Sequence, residues 1–267
     1  MKRLDLKEIK EIELGILLHF KSFCEKNHIR YYLSNGTLLG AVKYRGFIPW
    51  DDDIDVFVPR EDYDRLVRLY SDSETYKLFS LERCSKFRFP FAKLCDMTTR
   101  KEEEESDSGL PQGLDIDIFP LDCTCANREE TEAVIVKNQN NIEHLIWSKL
   151  RFTKSRSIIR SAGKLLVMGL HRLYGAARIC RRMIRIAQTH GGAQPDYVGC
   201  LVWPIYGARE IIPAEAFSQT VTVEFENERF PAPAGYDTYL RSLYGDYEQD
   251  PPPEKQKTHH KFTAYRL

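Results

Sequence analysis

Residues 33–60 read LSNGTLLGAVKYRGFIPWDDDIDVFVPR, and they hold much of the chain's distinctive chemistry. The segment opens with a short Ser-Asn-Gly-Thr turn at residues 34–37 and closes on an acidic run at residues 51–55. In residues 53–58, Ile54, Val56 and Val58 alternate with Asp53, Asp55 and Phe57. This period of two predicts a β-strand. The alternation would place Asp51, Asp53 and Asp55 on one face of that strand.

Three carboxylates at this spacing repel one another and disfavour strand formation. A divalent cation would compensate their charge, and carboxylate oxygens without nearby Cys or His favour Mg²⁺ or Mn²⁺. The alternative interpretation is a solvated acidic turn without a ligand. We favour the metal site because the acids lie within an apolar strand pattern and follow a Gly-Thr turn.

The same residues carry a resemblance to a known family. A Gly-Thr turn followed by Asp-x-Asp on a strand is similar to the nucleotidyltransferase superfamily. The fuller runs SNGTLLGA at 34–41 and PWDDDID at 49–55 resemble the LicD family of phosphocholine transferases, and fukutin-type phosphoribitol transferases share this core. The resemblance implies an α/β (α+β) fold, in which helices flank a mixed sheet of the nucleotidyltransferase type.

A second alternating segment, GLDIDIFPLD at residues 113–122, also resembles the family. Asp117 matches the family motif and would supply the third carboxylate of a two-metal site. Asp115 departs from the motif, and the sequence leaves open which of the two aspartates faces the metals. Lys93 lies within an apolar strand pattern. It is either an edge lysine with a solvated head or a cation that neutralises phosphate, and the resemblance favours the second.

The length of 267 residues allows one large or two small domains. We divide it into a catalytic core at 1–125, a helical basic insertion at 126–195 and a C-terminal segment at 196–267 that returns to the core. The formal net charge is zero, so the whole chain gives no argument for nucleic-acid binding. The seven cysteines fit reduced thiols in a cytosolic protein. Acidic residues near the start are atypical of a signal peptide, and no apolar run approaches a membrane span.

Periodicity and capping signals place the other elements. We predict helices at 5–27, 37–44, 61–70 and 127–150, and strands at 77–80 and 87–94. We also predict a solvated loop at 101–108 and a hairpin at 221–225 and 228–230. His259 and His260 are assigned to a loop near the site.

Residues 149–185 contain eleven Lys or Arg, and no acidic residue occurs from 144 to 195. Apolar residues are interleaved at roughly helical spacing. Such a segment could contact an anionic membrane or a lipid-linked glycan acceptor, or it could be a solvated helix face. Nucleic acid is disfavoured because few aromatic residues are available for base stacking.

The resemblance implies transfer of phosphocholine from CDP-choline to a sugar hydroxyl of a cell-surface glycan, of the lipopolysaccharide or teichoic-acid type, with release of CMP. Two Mg²⁺ ions, with Mn²⁺ as an alternative, would be held by Asp51, Asp53, Asp55 and Asp117. Of these, Asp53, Asp55 and Asp117 are also assigned to catalysis. The predicted substrate-binding residues are Ser34, Gly36, Thr37, Lys93 and Trp50.

Two other functions are kept open. One is transfer of a different phospho-alditol or of a nucleotidyl group by the same fold, and the other is a catalytically silent protein that binds glycan or membrane. Four aromatic residues are candidates for a choline cage, although for any one of them a place in the core or at its rim is favoured: Trp50, Tyr197, Trp203 and Tyr206. A cytoplasmic enzyme at the inner membrane face is expected.

Overall fold

The structure is a computed structural model. It describes residues 1–103, 110, 112–125, 127–150, 152, 158–192, 195–258 and 261–267, without the side chains of 158–162. The helices are α1 Leu6–Asn27, α2 Asn35–Tyr44, α3 Arg60–Leu69, α4 Arg128–Lys149, α5 Ile158–Tyr174, α6 Ala176–Ala187 and α7 Tyr236–Tyr244. The strands are β1 Lys2–Arg3, β2 Tyr32–Leu33, β3 Asp55–Pro59, β4 Tyr76–Phe79, β5 Ala92–Asp96, β6 Thr99–Glu103, β7 Leu114–Thr124, β8 Tyr197–Gly199, β9 Ile212–Pro213, β10 Thr220–Phe225, β11 Glu228–Pro233 and β12 Phe262–Arg266.

The central sheet has the strand order β2-β3-β7-β5-β4, and β8 and β9 extend it from the far end of β7. Strands β3 and β7 pair in parallel, whereas the other neighbours are antiparallel. A separate three-stranded sheet joins the two ends of the chain, in the order β1-β12-β6. The predicted α/β fold with a mixed sheet is therefore confirmed.

Helix α1 covers this sheet with a stripe of buried residues at helical spacing, including Ile9, Ile16 and Phe20. Asp5 and Glu8 form the predicted capping box. Helix α4 begins with a second box made by Asn127 and Glu130, also as predicted. Because both caps are local side-chain bonds, they could be identified without knowledge of the tertiary structure.

The predicted strand containing the whole acidic run is wrong at its start. Residues 51–54 have no regular secondary structure, and β3 begins only at Asp55. The reason lies in the neighbours. Strand β2 pairs only with Val56 and Phe57 before the chain turns into α2, and the ladder with β7 begins at Asp55. Residues 51–54 therefore form no strand ladder.

Two further predictions need correction. The predicted strand 87–94 begins only at Ala92, after Pro90, which has no N–H to donate to a ladder. The predicted loop 101–108 starts within strand β6, where Lys101 pairs with Ala264 of β12. Residues 104–109 lie outside the described residues, as do His259 and His260.

The hairpin β10–β11 is confirmed, and its turn uses Glu226 and Asn227 with positive φ. The basic stretch includes two helices, α5 and α6, which pack against α4. A small apolar cluster separate from the main core includes Leu145 of α4 and Cys180 and Met183 of α6. None of the described helices has both the length and the hydropathy needed to cross a bilayer.

Candidate active site

Three neighbouring strands place two acids and a lysine in one row. Asp55 of β3 lies opposite Asp117 of β7, and Asp117 lies opposite Lys93 of β5. Residues that are directly opposite project from the same face of a sheet. The row therefore brings together three predicted site residues that are distant in the sequence.

An ion pair at the other end of the parallel pair links β3 to β7. Arg60 follows β3, and it makes two bonds to the carboxylate of Asp122, with Nε at 2.7 Å and Nη2 at 3.0 Å. Asp122 is almost fully buried. A bidentate pair between planar groups constrains their relative position. We infer that this contact helps to hold Asp55 opposite Asp117.

The Ser-Asn-Gly-Thr turn forms the start of α2. The backbone N–H of Asp55 donates to Thr37 Oγ1 at 2.8 Å, and the Asn35 amide hydrogen-bonds the Asp55 side chain. Ser34 and Thr37 are buried, and Ser34 makes no capping bond to the helix. The hydrogen bonds of Thr37 and Asn35 thus position Asp55. Gly36 lies beside Asp51 of the acidic run.

Gly36 lies against the side chain of Asp51, which would have to move if residue 36 carried a side chain. A Cβ at residue 36 would lie 2.7 Å from Asp51 Oδ2, closer than real Cβ contacts come. The carboxylates of Asp51, Asp52 and Asp53 can come within 4.8 Å of one another, and Asp52 is buried. The acidic run is therefore compact, although it is not a strand.

The loop before the acidic run is fixed by contacts with distant elements. Lys10 of α1 donates from Nζ to the carbonyl oxygens of Ile48 and Pro49, at 3.1 Å in each case. Glu226, in the hairpin turn, accepts from the N–H of Phe47 at 3.1 Å. These bonds replace strand pairing as the means of positioning the acids.

Lys93 forms ion pairs with both aspartates of β7. Its Nζ lies 2.6 Å from Asp115 Oδ2 and 2.5 Å from Asp117 Oδ1. Lys101 takes the other oxygen of Asp115 at 2.9 Å. Asp115 is thus buried and bonded through both oxygens, whereas the Asp117 side chain is 23% exposed and bonded through one. This difference favours Asp117 over Asp115 as a ligand for a bound group.

The pKa values follow the same division. Burial tends to raise the pKa of Asp115, but Lys101 and Lys93 outweigh it and lower that pKa below its usual value. Burial raises the pKa of Asp55 well above its usual value, and the charges of Asp53 and Asp117 add to this. The Asp117 pKa is also raised, mainly by burial. A cation among Asp53, Asp55 and Asp117 would stabilise their ionised forms.

A cavity of about 750 Å³ opens beside the acids. Its lining includes Gly36, Trp50, Asp51, Asp53 and Asp55 from the predicted set. Ser34, Thr37, Lys93 and Asp117 are not lining residues. Ser34 and Thr37 are buried residues of the turn, Asp117 lies in the strand next to that of Asp55, and Lys93 lies one strand further.

The C-terminal segment supplies much of the remaining wall. Tyr206 and Tyr244 line the cavity with their rings 5.4 Å apart, and Tyr44 and Trp50 form a second pair at 6.3 Å. Of the other predicted aromatics, Trp203 packs on Phe91 in the core. Tyr197 lies in β8, outside the cavity lining.

Sequence reasoning missed several residues near the acids. Asn35 is linked to α7 because Tyr239 Oη donates to its Oδ1 at 2.8 Å, a contact across 204 positions that has no local signal. Lys101 was assigned to a loop because glutamates follow it. Glu13 lies at helical spacing between Ile9 and Ile16, a local signal of burial, and it is fully buried with no hydrogen-bond partner for either oxygen.

Glu13→Leu is expected to raise the free energy of unfolding by roughly 1–3 kcal/mol near neutral pH. Burial raises the Glu13 pKa well above its usual 4.5, and Asp53 adds to this. The folded state therefore holds this proton more tightly than the unfolded state, and wild-type stability falls as pH rises above 4.5. The leucine variant lacks that loss, so its advantage is smaller at acid pH.

Urea unfolding in EDTA at about pH 4 and about pH 7 measures the effect. Glu11→Leu is the matched control, because Glu11 lies on the same helix with a side chain 66% exposed. A Glu13→Leu variant that is less stable than wild type at neutral pH would contradict the prediction.

The site contains the donor types that Mg²⁺ prefers. Asp51, Asp53 and Asp55 line one cavity and supply only carboxylate oxygens, and Asp117 lies opposite Asp55. Among the described residues, neither His nor Cys lines this cavity. Hard oxygen donors without nitrogen or sulfur suit Mg²⁺ or Mn²⁺ rather than zinc. The residues present therefore fit the predicted metal.

Comparison with known proteins gives three findings. The family model described as "LicD/FKTN/FKRP, nucleotidyltransferase domain" matches residues 28–144. The chain is 32% identical to "Lipopolysaccharide cholinephosphotransferase LicD" of Haemophilus influenzae over 274 aligned residues, which cover all of both chains. Uncharacterised proteins of Rickettsia typhi and Rickettsia prowazekii are 41% and 45% identical over 63 and 49 residues. Those segments cover 23% and 18% of this chain, and 20% and 18% of the relatives.

Proposed function

The chain belongs to the LicD family of transferases, and we propose that it moves phosphocholine from CDP-choline to a sugar hydroxyl of lipopolysaccharide, with release of CMP. The full-length similarity to a lipopolysaccharide cholinephosphotransferase supports the substrate class. The observation that carries the reaction is the convergence of Asp53 and Asp55 with the Gly36 turn in one cavity. Carboxylates can bind the metal ions of a metal–diphosphate, and backbone N–H groups beside them can bind its phosphate oxygens.

Asp51, Asp53, Asp55 and Asp117 are the residues that would hold two Mg²⁺ ions, with Mn²⁺ as an alternative. When bound, such ions neutralise a diphosphate and stabilise the charge that develops as phosphorus is transferred in line. Burial raises the pKa of Asp55, and the neighbouring charges of Asp53 and Asp117 add to this, so a bound cation would stabilise the ionised carboxylates.

The start of α2 would bind a donor phosphate. Ser34 makes no side-chain capping bond, and Gly36 lines the cavity, so the N–H of Gly36 in the first turn of the helix would bind a phosphate oxygen. The absence of a side chain at Gly36 keeps this edge open beside Asp51. The partial positive charge of the helix N-terminus adds a favourable term for an anion.

Asp117 would accept the proton of the attacking hydroxyl. Its oxygen Oδ1 is held by Lys93, and the rest of the carboxylate is partly exposed on the row beside Asp55. Lys93 is buried, and Asp115 and Asp117 outweigh the effect of that burial and raise its pKa. Lys93 therefore stays protonated, orients Asp117 and offsets negative charge during transfer.

The choline head group would lie against aromatic faces of the cavity. Trp50 and Tyr206 of the predicted candidates line it, and Tyr244 is added by the fold. A quaternary ammonium binds such faces by cation–π attraction. The pair Tyr206–Tyr244 suits this role because Asp55 lines the same cavity and its carboxylate would favour a cation there.

The test is to incubate the chain and Mg²⁺ with lipopolysaccharide and one of three donors: CDP-choline, CDP-ribitol or CTP. We expect CMP release and phosphocholine incorporation with CDP-choline, and loss of both on adding EDTA. CMP with CDP-ribitol alone would indicate phospho-alditol transfer, and pyrophosphate from CTP would indicate nucleotidyl transfer. Absence of turnover with all three donors, despite lipopolysaccharide binding, would indicate a catalytically silent protein.

A nucleotide donor is consistent with a cytoplasmic enzyme, and a lipopolysaccharide acceptor would be met at the inner membrane face. We therefore propose peripheral contact with that membrane. The contact surface is treated separately below, because it depends on other residues than the transfer reaction does.

A further inference from the structure

Helix α5 is apolar on the side that faces away from the protein. The described part of α5 exposes six large apolar residues, one of which is Val167 at 36%. The other five form one stripe at helical spacing, here called the apolar stripe: Leu165, Leu166, Leu170, Leu173 and Tyr174. Their exposed fractions are 51%, 66%, 61%, 83% and 43%. A contiguous set of this kind is unusual on a monomer surface, and it normally marks an interaction site.

The opposite side of α5 is more polar and faces the protein. His171 contacts His144 of α4, with ring centroids 4.9 Å apart and the rings tilted by 37°. Arg172 donates to the carbonyl oxygen of Leu150 at 2.9 Å, and Met168 is the buried apolar contact. This arrangement reverses the usual amphipathic helix, in which the apolar side covers the core. Packing within the chain therefore does not account for the apolar stripe.

The next helix, α6, presents a dense positive surface. Ile179, Cys180 and Met183 are buried towards α4. Four arginines are exposed on the other side and are here called the arginine face: Arg178, Arg181, Arg182 and Arg185. The described part of the chain contains no acidic partner within ion-pair distance of these four.

The two surfaces are in contact with each other. The guanidinium of Arg178 lies 5.4 Å from the ring centroid of Tyr174, which joins the arginine face to the end of the apolar stripe. Lys149 does not belong to this surface, although it is part of the basic stretch. Its Nζ lies 3.2 Å from the Phe89 ring centroid, and burial lowers its pKa to about 7.

We propose that the apolar stripe inserts into the headgroup and acyl boundary of an anionic lipid bilayer, with the arginine face on the lipid phosphates. The exposed leucines match the apolar acyl layer of such a surface, and the exposed arginines beside them match its anionic phosphate layer. A second copy of the chain is a poorer occupant, because like-for-like pairing would bring two arginine faces together. A polyanion without an apolar phase would leave the leucines in water.

The experiment is cosedimentation of the full chain with phosphatidylcholine vesicles, with and without phosphatidylglycerol. The test variant is Leu166→Ser/Leu170→Ser/Leu173→Ser. The matched control, Leu6→Ser/Leu69→Ser/Val221→Ser, removes three apolar residues that are exposed by 40%, 49% and 36% in other elements. We expect binding only with phosphatidylglycerol, weakened roughly tenfold or more by the test variant and unchanged by the control.

A second variant tests the charges. Arg181→Glu/Arg182→Glu/Arg185→Glu should also reduce binding to anionic vesicles at least about tenfold, and added salt should weaken wild-type binding. CMP release with a water-soluble acceptor should be unchanged in both variants, so failure of the surface proposal is separable from failure of the transferase proposal. Unaltered vesicle binding in the leucine variant would overturn the proposal. So would a wild-type dimer that this variant dissociates without any vesicle binding.

Discussion

Asp53→Asn is expected to lower the rate of CMP release by roughly 10³-fold or more. Asp53 lines the cavity and clusters with Asp51 and Asp52, and its charge acts on Asp55. An amide would bind a divalent cation far more weakly than a carboxylate does, so the variant would lose charge stabilisation worth several kcal/mol in the transition state. The measurement is CMP release from CDP-choline with Mg²⁺.

The same variant should keep or raise its thermal midpoint in EDTA, since removing one of several neighbouring negative charges relieves repulsion. Added Mg²⁺ should raise the midpoint of wild type but not that of the variant, because a ligand stabilises only a protein that binds it. The matched control is Asp64→Asn on α3, with a side chain 54% exposed and away from the cavity. Wild-type turnover in Asp53→Asn would refute the assignment.

Lys93→Met is expected to lower the free energy of unfolding by about 3–5 kcal/mol, the usual cost of removing one partner of a buried ion pair. Lys93 is buried, and it is bonded to both Asp115 and Asp117. Without it Asp117 has no cation within ion-pair distance among the described residues, and Asp115 keeps Lys101. Turnover should fall with stability, because Asp117 would also lose the group that orients it. Urea unfolding in EDTA measures the stability effect.

Lys77→Met is the control, because Lys77 is a half-buried lysine on the neighbouring strand β4. We expect it to change stability by less than about 0.5 kcal/mol. The effect of Lys93→Met should shrink towards acid pH. The lowered pKa of Asp115 means that its ion pairs contribute stability above its usual value of 3.8, and this contribution is lost as pH falls. A stability cost in Lys93→Met that is no larger than in the control would show that Lys93 is not structurally required.

The local elements were predictable because their signals lie within a few residues. The two capping boxes, at Asp5 with Glu8 and at Asn127 with Glu130, involve residues three positions apart. The alternation around Asp117 predicted β7 correctly. The acidic run pointed to the cavity even though its predicted strand was wrong, because the chemistry depended on the carboxylates and not on the ladder.

The choice between Asp115 and Asp117 could not be made from their positions in the sequence. Both alternate in the same way, and they differ only in what surrounds them. Lys101 reaches Asp115 because β6 is held against β12 near the end of the chain. Long-range pairing of this kind has no local signature. The burial of Lys149 and the outward turn of the leucines on α5 are also consequences of packing between helices.

The amino-acid sequence by itself determined which chemistry the chain can perform, since the acidic run, the Gly-Thr turn and the second Asp-x-Asp are contiguous motifs. Only the tertiary structure decided which of these carboxylates remain accessible to a ligand. Which side chains become partners depends on contacts between different strands, such as those of Lys93 and Lys101 with Asp115, 22 and 14 positions apart. Whether a carboxylate is already neutralised or still accessible is therefore a property of the folded chain.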